Sequence, residues 1–127
     1  MALPQPPRAR RKKIGELELI ERAEIEDYKR FLSLLNAAKE GGGTLLDQTT
    51  LLISSNLGNA NAHGWRDLPV IVAGGGFKHG RHLQAGGPGV KNDRFCNLFV
   101  QIAQKMGVET ETFSQSNGTG VKGFGRA

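Results

Sequence analysis

The sequence predicts an α/β fold, a partial sheet of at least two buried strands flanked by two helices. Three observations carry this expectation. Residues 49–55 and 68–73 are apolar runs of strand length, rich in β-branched residues. Residues 14–40 and 93–106 repeat apolar side chains at helical spacing. Glycine supplies 18 of 127 residues without a collagen period, as in a chain with many loops. With 38 % hydrophobic and 6 % aromatic residues, only a thin core is expected. Sheets usually have roughly four to six strands. Two strands therefore point to a segment of a larger α/β domain, or to a chain that pairs with another copy.

Residues 1–13 read as a flexible arm, with Pro4, Pro6 and Pro7 followed by Arg8, Arg10, Arg11, Lys12 and Lys13. Setting aside these five cations from the 17 basic residues leaves 12, against 12 acidic residues, so the net charge of +5 belongs to the arm. No aromatic residue is interleaved with the basic run, and nucleic-acid binding is not expected from it. No apolar stretch follows it either, so no signal peptide is read here. No run approaches the roughly 20 apolar residues of a membrane span.

Residues 14–113 are read as one domain. Its first helix, 14–40, places Ile25, Tyr28, Leu32 and Leu35 on one stripe, with Leu17, Ile20, Phe31 and Ala38 beside them. Glu26 and Arg30 form an i,i+4 pair, and Gly41–Gly43 end the helix. Neither strand, TTLLISS nor LPVIVA, alternates cleanly, which predicts cover on both faces. Pro69 stands near the start of the second strand, where a missing N–H is tolerated. Residues 74–92 are a Gly-rich loop. The second helix, 93–106, aligns Phe95, Leu98, Phe99, Ile102 and Met106, with Cys96 beside them as a small core residue. Residues 108–113 are a short strand or an extended segment. Residues 114–127, rich in Gly, Ser and Asn, are expected to form a flexible tail.

Two loops carry the candidate chemistry. Residues 56–67 leave the end of a strand, the usual ligand position of open α/β sheets. They hold Asn56, Asn59, His63, Arg66 and Asp67. His63 is the candidate metal ligand or proton carrier, and Arg66 suits an anionic oxygen. The competing and favoured reading is that Asn and Gly make turns while Trp65 covers the core. In residues 74–82, Gly75 and Gly80 have P-loop spacing, but Arg81 and His82 stand where Lys and Ser or Thr are needed. Lys78 and Arg81 remain candidate anion contacts beside a structural turn. The three histidines, His63, His79 and His82, fit no metal motif, and no metal or cofactor is assigned. The single cysteine excludes an internal disulfide framework.

The stretches IGELELIERAEIEDYKRFLSLLNAAKE, GGGTLLDQTTLLISSNLGNANAH, DLPVIVAGGGFKHGRHL, FCNLFVQIAQKMGVETETF and SNGTG resemble the C-terminal third of a bacterial family. That family is named for an HxxSHH motif and has no assigned activity. It in turn resembles the alkaline phosphatase and sulfatase superfamily, so the resemblance implies a C-terminal fragment of an alkaline-phosphatase-like domain. Ser55-Asn56-Leu57-Gly58 stands where those enzymes carry a Ser-Asp-His-Gly type motif, so Asn56 and Leu57 replace the metal ligands. The family's HxxSHH position holds MALPQPPRAR, without histidine. The resemblance thus implies a segment that is non-catalytic by itself. One alternative is a metal-dependent phosphate or sulfate ester hydrolase, its divalent metal held once N-terminal elements complete it. Another is a basic-arm nucleic-acid binder. Self-association or a missing N-terminal segment is the expected partner. The family is often exported, which leaves localisation open for this chain.

Overall fold

The computed structural model describes residues 8–86 and 92–125. In chain order its elements are α1 (Arg8–Ala37), β1 (Lys39–Glu40), β2 (Gly43–Thr44), α2 (Leu45–Gln48), β3 (Thr50–Ser54), β4 (Val70–Gly74) and α3 (Phe95–Lys105). The fold is mixed α/β, a partial sheet flanked by helices. The two expected strands pair with each other, antiparallel, from Thr50 opposite Gly74 to Ser54 opposite Val70. Pro69 lies one residue before this ladder, so its missing N–H costs no ladder bond.

The expected double-sided cover is not present. All of β3 is half-buried, and Val70 and Ile71 of β4 are exposed. Among the described residues the buried apolar ones are Leu35, Phe77, Leu98 and Val100. A two-stranded ribbon has too little surface to sandwich between helices, so its apolar residues share a thin core.

α1 starts at Arg8, earlier than expected, and Arg10–Lys13 are helical rather than part of an extended arm. Arg, Lys and Ala are strong helix formers, and Lys12 meets Glu16 one turn on at 3.8 Å. The prolines at 4, 6 and 7 lie outside the described residues. Further pairs, Glu18–Arg22 and Glu26–Lys29, both 3.3 Å, follow along the helix. Glu26 thus pairs with Lys29 and not with Arg30. The helix ends at Ala37, because Lys39–Glu40 turn back on Gly43–Thr44 in a two-residue hairpin. Gly41 and Gly42 both take positive φ there, 58° and 86°.

Thr44 then caps α2. Its hydroxyl accepts from the Asp47 N–H at 3.2 Å, while the Asp47 carboxylate accepts from the Thr44 N–H at 2.7 Å and from its hydroxyl at 2.8 Å. These bonds from Thr44 hold the Asp47 carboxyl below its ordinary pKa. α2 packs on α1 and on β4. Gly74 closes this corner with φ 73°, and a Cβ there would lie 2.2 Å from the Thr49 carbonyl oxygen.

At 30 residues, α1 is about 45 Å long, whereas a five-residue strand spans roughly 17 Å. Only one end of the helix can therefore meet the hairpin. Leu35 is buried and Leu32 and Tyr28 are half-buried, but Ile14, Leu17, Ile20 and Ile25 are 46–57 % exposed.

The tail is the largest departure from expectation. Residues 114–125 are tied to α3 through two side-chain amides. Asn97, fully buried, donates from Nδ2 to Asn117 Oδ1 and accepts at Oδ1 from the Asn117 N–H, both at 2.9 Å. Gln101 Oε1 accepts from the Val121 N–H at 2.8 Å, and its Nε2 donates to the Phe124 carbonyl. Phe124 stacks on Phe77 with ring centres 4.6 Å apart. The tail lacks a hydrophobic period of its own, and its order comes from polar residues of a distant helix together with the loop that carries Phe77. Residues 108–113 form no strand, and Phe113 stacks on Phe99 at 5.3 Å. Cys96 is half-buried. Met106, expected on the apolar face, is the C-cap of α3 and 76 % exposed.

Candidate functional site

The loop between β3 and β4 is built by local hydrogen bonds. Ser55 Oγ accepts from the Leu57 N–H at 3.2 Å and donates to the Leu57 carbonyl at 2.8 Å, which turns the chain out of the strand. Gly58 and Asn59 both donate to the Gly64 carbonyl, at 2.8 and 3.2 Å, and the Gly64 N–H donates back to the Asn59 carbonyl at 2.8 Å. Inside this small loop, Asn59 Oδ1 accepts from the Ala62 N–H at 3.1 Å. Gly58 is required by close approach, because a Cβ there would sit 1.8 Å from the Arg66 carbonyl oxygen. His63 and Asp67 take left-handed backbone conformations, with φ 49° and 55°. Such conformations cost a non-Gly residue on the order of 1 kcal/mol each.

These constraints form an open cleft of about 600 Å³, lined by Gly58, Asn59, Gly64, Trp65, Arg66 and Asp67. Of the expected site residues, Asn59, Arg66 and Asp67 meet here. Asn56 and His63 do not line the cleft, although both are exposed on the same loop. Trp65 does not cover the core. It is 70 % exposed, and the Arg66 guanidinium lies 5.4 Å from its ring centre. A lone tryptophan in an otherwise polar loop was the sequence signal for this platform. The arrangement offers a flat apolar face with a cation, a carboxylate and an amide around it. Asp67 and His63 are the groups of this loop suited to a metal, but no group of three or more His, Cys, Asp or Glu among the described residues is placed to hold one.

The loop after β4 is a docking site for the tail. The Lys78 N–H donates to the Gly125 carbonyl at 3.0 Å, and the Arg81 guanidinium donates to the Gly123 carbonyl at 3.0 Å. Arg81 is thus engaged by the chain itself, while the Lys78 side chain is exposed. His79 is exposed, and its Nε2 donates to the Gly74 carbonyl at 2.8 Å. His82 is exposed.

Comparison with protein-family models gives no match. Neither the curated proteins nor the solved structures give a significant match.

Proposed function

We propose that this chain is the C-terminal segment of an HxxSHH-type α/β domain, non-catalytic by itself, and that it works as a protein-interaction unit. One observation carries the interaction reading. Seven large apolar side chains of α1 alone, from Ile14 to Leu34, are exposed, against four buried apolar residues among all those described. Of these, Ile14, Leu17, Ile20 and Ile25 share one side of the helix, and an uncovered apolar side of this kind marks a face that another protein covers. The likeness of residues 41–63 and 67–83 to the family supplies the other half of the reading, with Asn56 and Leu57 where the related hydrolases hold metal. Asn is a weak ligand and Leu is none, and His63 and Asp67 sit on an exposed loop.

The test has two arms. Purified chain should give no hydrolysis of aryl phosphate or sulfate esters above a buffer blank, with zinc, manganese or calcium present. Coexpressed with the HxxSHH-containing N-terminal part of a family member, it should copurify as a stoichiometric complex. Turnover that His63→Ala abolishes overturns the non-catalytic reading, and failure to copurify overturns the family reading.

A further inference from the structure

We infer that the free half of the α1 stripe is an interface between two copies of this chain, packed antiparallel. The inference rests on the interaction reading above and names the partner. The free stripe runs from Arg10 to Ile25. Beyond it the same stripe turns into the body, where Leu32 is half-buried and Leu35 buried. Its apolar members are Ile14, Leu17, Ile20 and Ile25, each about half exposed.

The charges on this stripe single out the occupant. At about 100° per residue, Arg10, Lys13, Glu21 and Glu24 all lie within roughly 40° of Leu17, in the middle of the apolar face. On the opposite face, charges neutralise one another within the helix, as Lys12–Glu16, Glu18–Arg22 and Glu26–Lys29. No ion pair among the described residues engages the four stripe charges. Their order also opposes the helix dipole, which favours anions at the N-terminal end. The first turn of α1 holds no acidic residue, and the cations stand there instead. The helix alone therefore gives no reason for this arrangement.

A second copy does. With the two helices antiparallel and related by a two-fold axis at Leu17, Arg10 faces Glu24 of the second copy and Lys13 faces its Glu21. Ile14 and Ile20 flank this seam on its two sides, and every contact occurs twice by symmetry. A parallel pair would stack cation on cation and carboxylate on carboxylate. The face offers four half-exposed apolar residues, against the roughly 20–30 residues a side of a standard interface, so the dimer is weak and reversible.

Sedimentation velocity over a wide concentration series tests this. The full chain should pass from monomer to dimer as concentration rises, and less readily at high salt. Leu17→Glu should keep it monomeric with an unchanged melting temperature. Arg10→Glu with Lys13→Glu should raise the dissociation constant roughly tenfold. Adding Glu21→Lys and Glu24→Lys to that pair should restore the dimer, because the antiparallel contacts re-form with signs exchanged. The two cation replacements suit the helix dipole, so lost association cannot be put down to an unfolded helix. A wild-type chain that stays monomeric at every concentration overturns the inference, whether or not it binds anionic vesicles. A four-charge variant that stays as weak as the two-charge one overturns it as well. Neither result touches the hydrolysis and copurification tests above.

Discussion

Asn97→Ala is expected to destabilise the fold far more than a polar-to-alanine change on a helix usually does. Asn97 is the one polar residue with no exposure among those described. Its carboxamide makes two bonds to Asn117, each worth about 1 kcal/mol net. Asn117 itself is exposed, so water takes up its N–H once the amide is gone and no orphan penalty is added. The sum is on the order of 2 kcal/mol. For a domain of this size that lowers the melting temperature by about 8 °C. Circular dichroism melts measure it, and amide exchange at Asn117 and Val121 localises it. Asn117→Ala is the informative partner. It keeps the bond from the residue-117 N–H to Asn97 Oδ1, but loses the acceptor for the Arg94 N–H at 3.2 Å and the donor to the Asn92 carbonyl at 3.0 Å. The double variant should fall short of the sum of the singles, because both remove the same Asn97–Asn117 bond. A loss below about 2 °C for Asn97→Ala, or unchanged exchange at Asn117, would refute the claim that this amide pair holds the tail.

Further expectations concern α1 and the hairpin corner. Gly74→Ala should cost several degrees of melting temperature, since its φ of 73° and the Thr49 carbonyl 2.2 Å from any Cβ leave no room; an unchanged melt would show that the corner relaxes freely. Tyr28→Phe should raise stability by about 1 kcal/mol in denaturant titration, because the phenol oxygen is buried with no hydrogen-bond partner. Burial also raises the Tyr28 pKa, and a destabilised phenylalanine variant would reveal a hidden partner. Asp47, whose pKa is lowered in the fold, should add stability that is fully present above the ordinary carboxyl value of 3.8 and is lost as pH falls below it. Asp47→Asn should flatten that part of the acid-unfolding curve, and an identical curve would remove the capping box from the account.

The elements with a strong period were legible from the sequence. Ile25, Tyr28, Leu32 and Leu35 marked α1, and the runs around Leu51–Ile53 and Val70–Ala73 marked the two strands that pair. What escaped was set by partners distant in sequence. Asn97 and Gln101 read as ordinary polar positions of a helix, and nothing local says that Asn117 and Val121 bind them. The start of α1 was obscured by the nearby prolines and by a basic run that reads equally well as a solvated arm. In the β3–β4 loop, residue types identified Asn59, Arg66 and Asp67. The exposure of Trp65, by contrast, follows from the Gly58–Arg66 crossing, which a sequence pattern does not reveal.

The amide clasp between α3 and the tail also sets an order of events during synthesis. An isolated helix of 11 residues is marginal in water, and its N-cap, Arg94, supplies no side-chain cap and is itself held through its N–H by Asn117 Oδ1. At roughly 5–20 residues per second, α3 leaves the ribosome about one to four seconds before Phe124, the last residue that secures it. During that interval Phe99 has no Phe113 to stack on, and Phe77 has no Phe124. A free chain truncated after Gly107 should therefore be a good chaperone client, whereas one that runs past Gly125 should not.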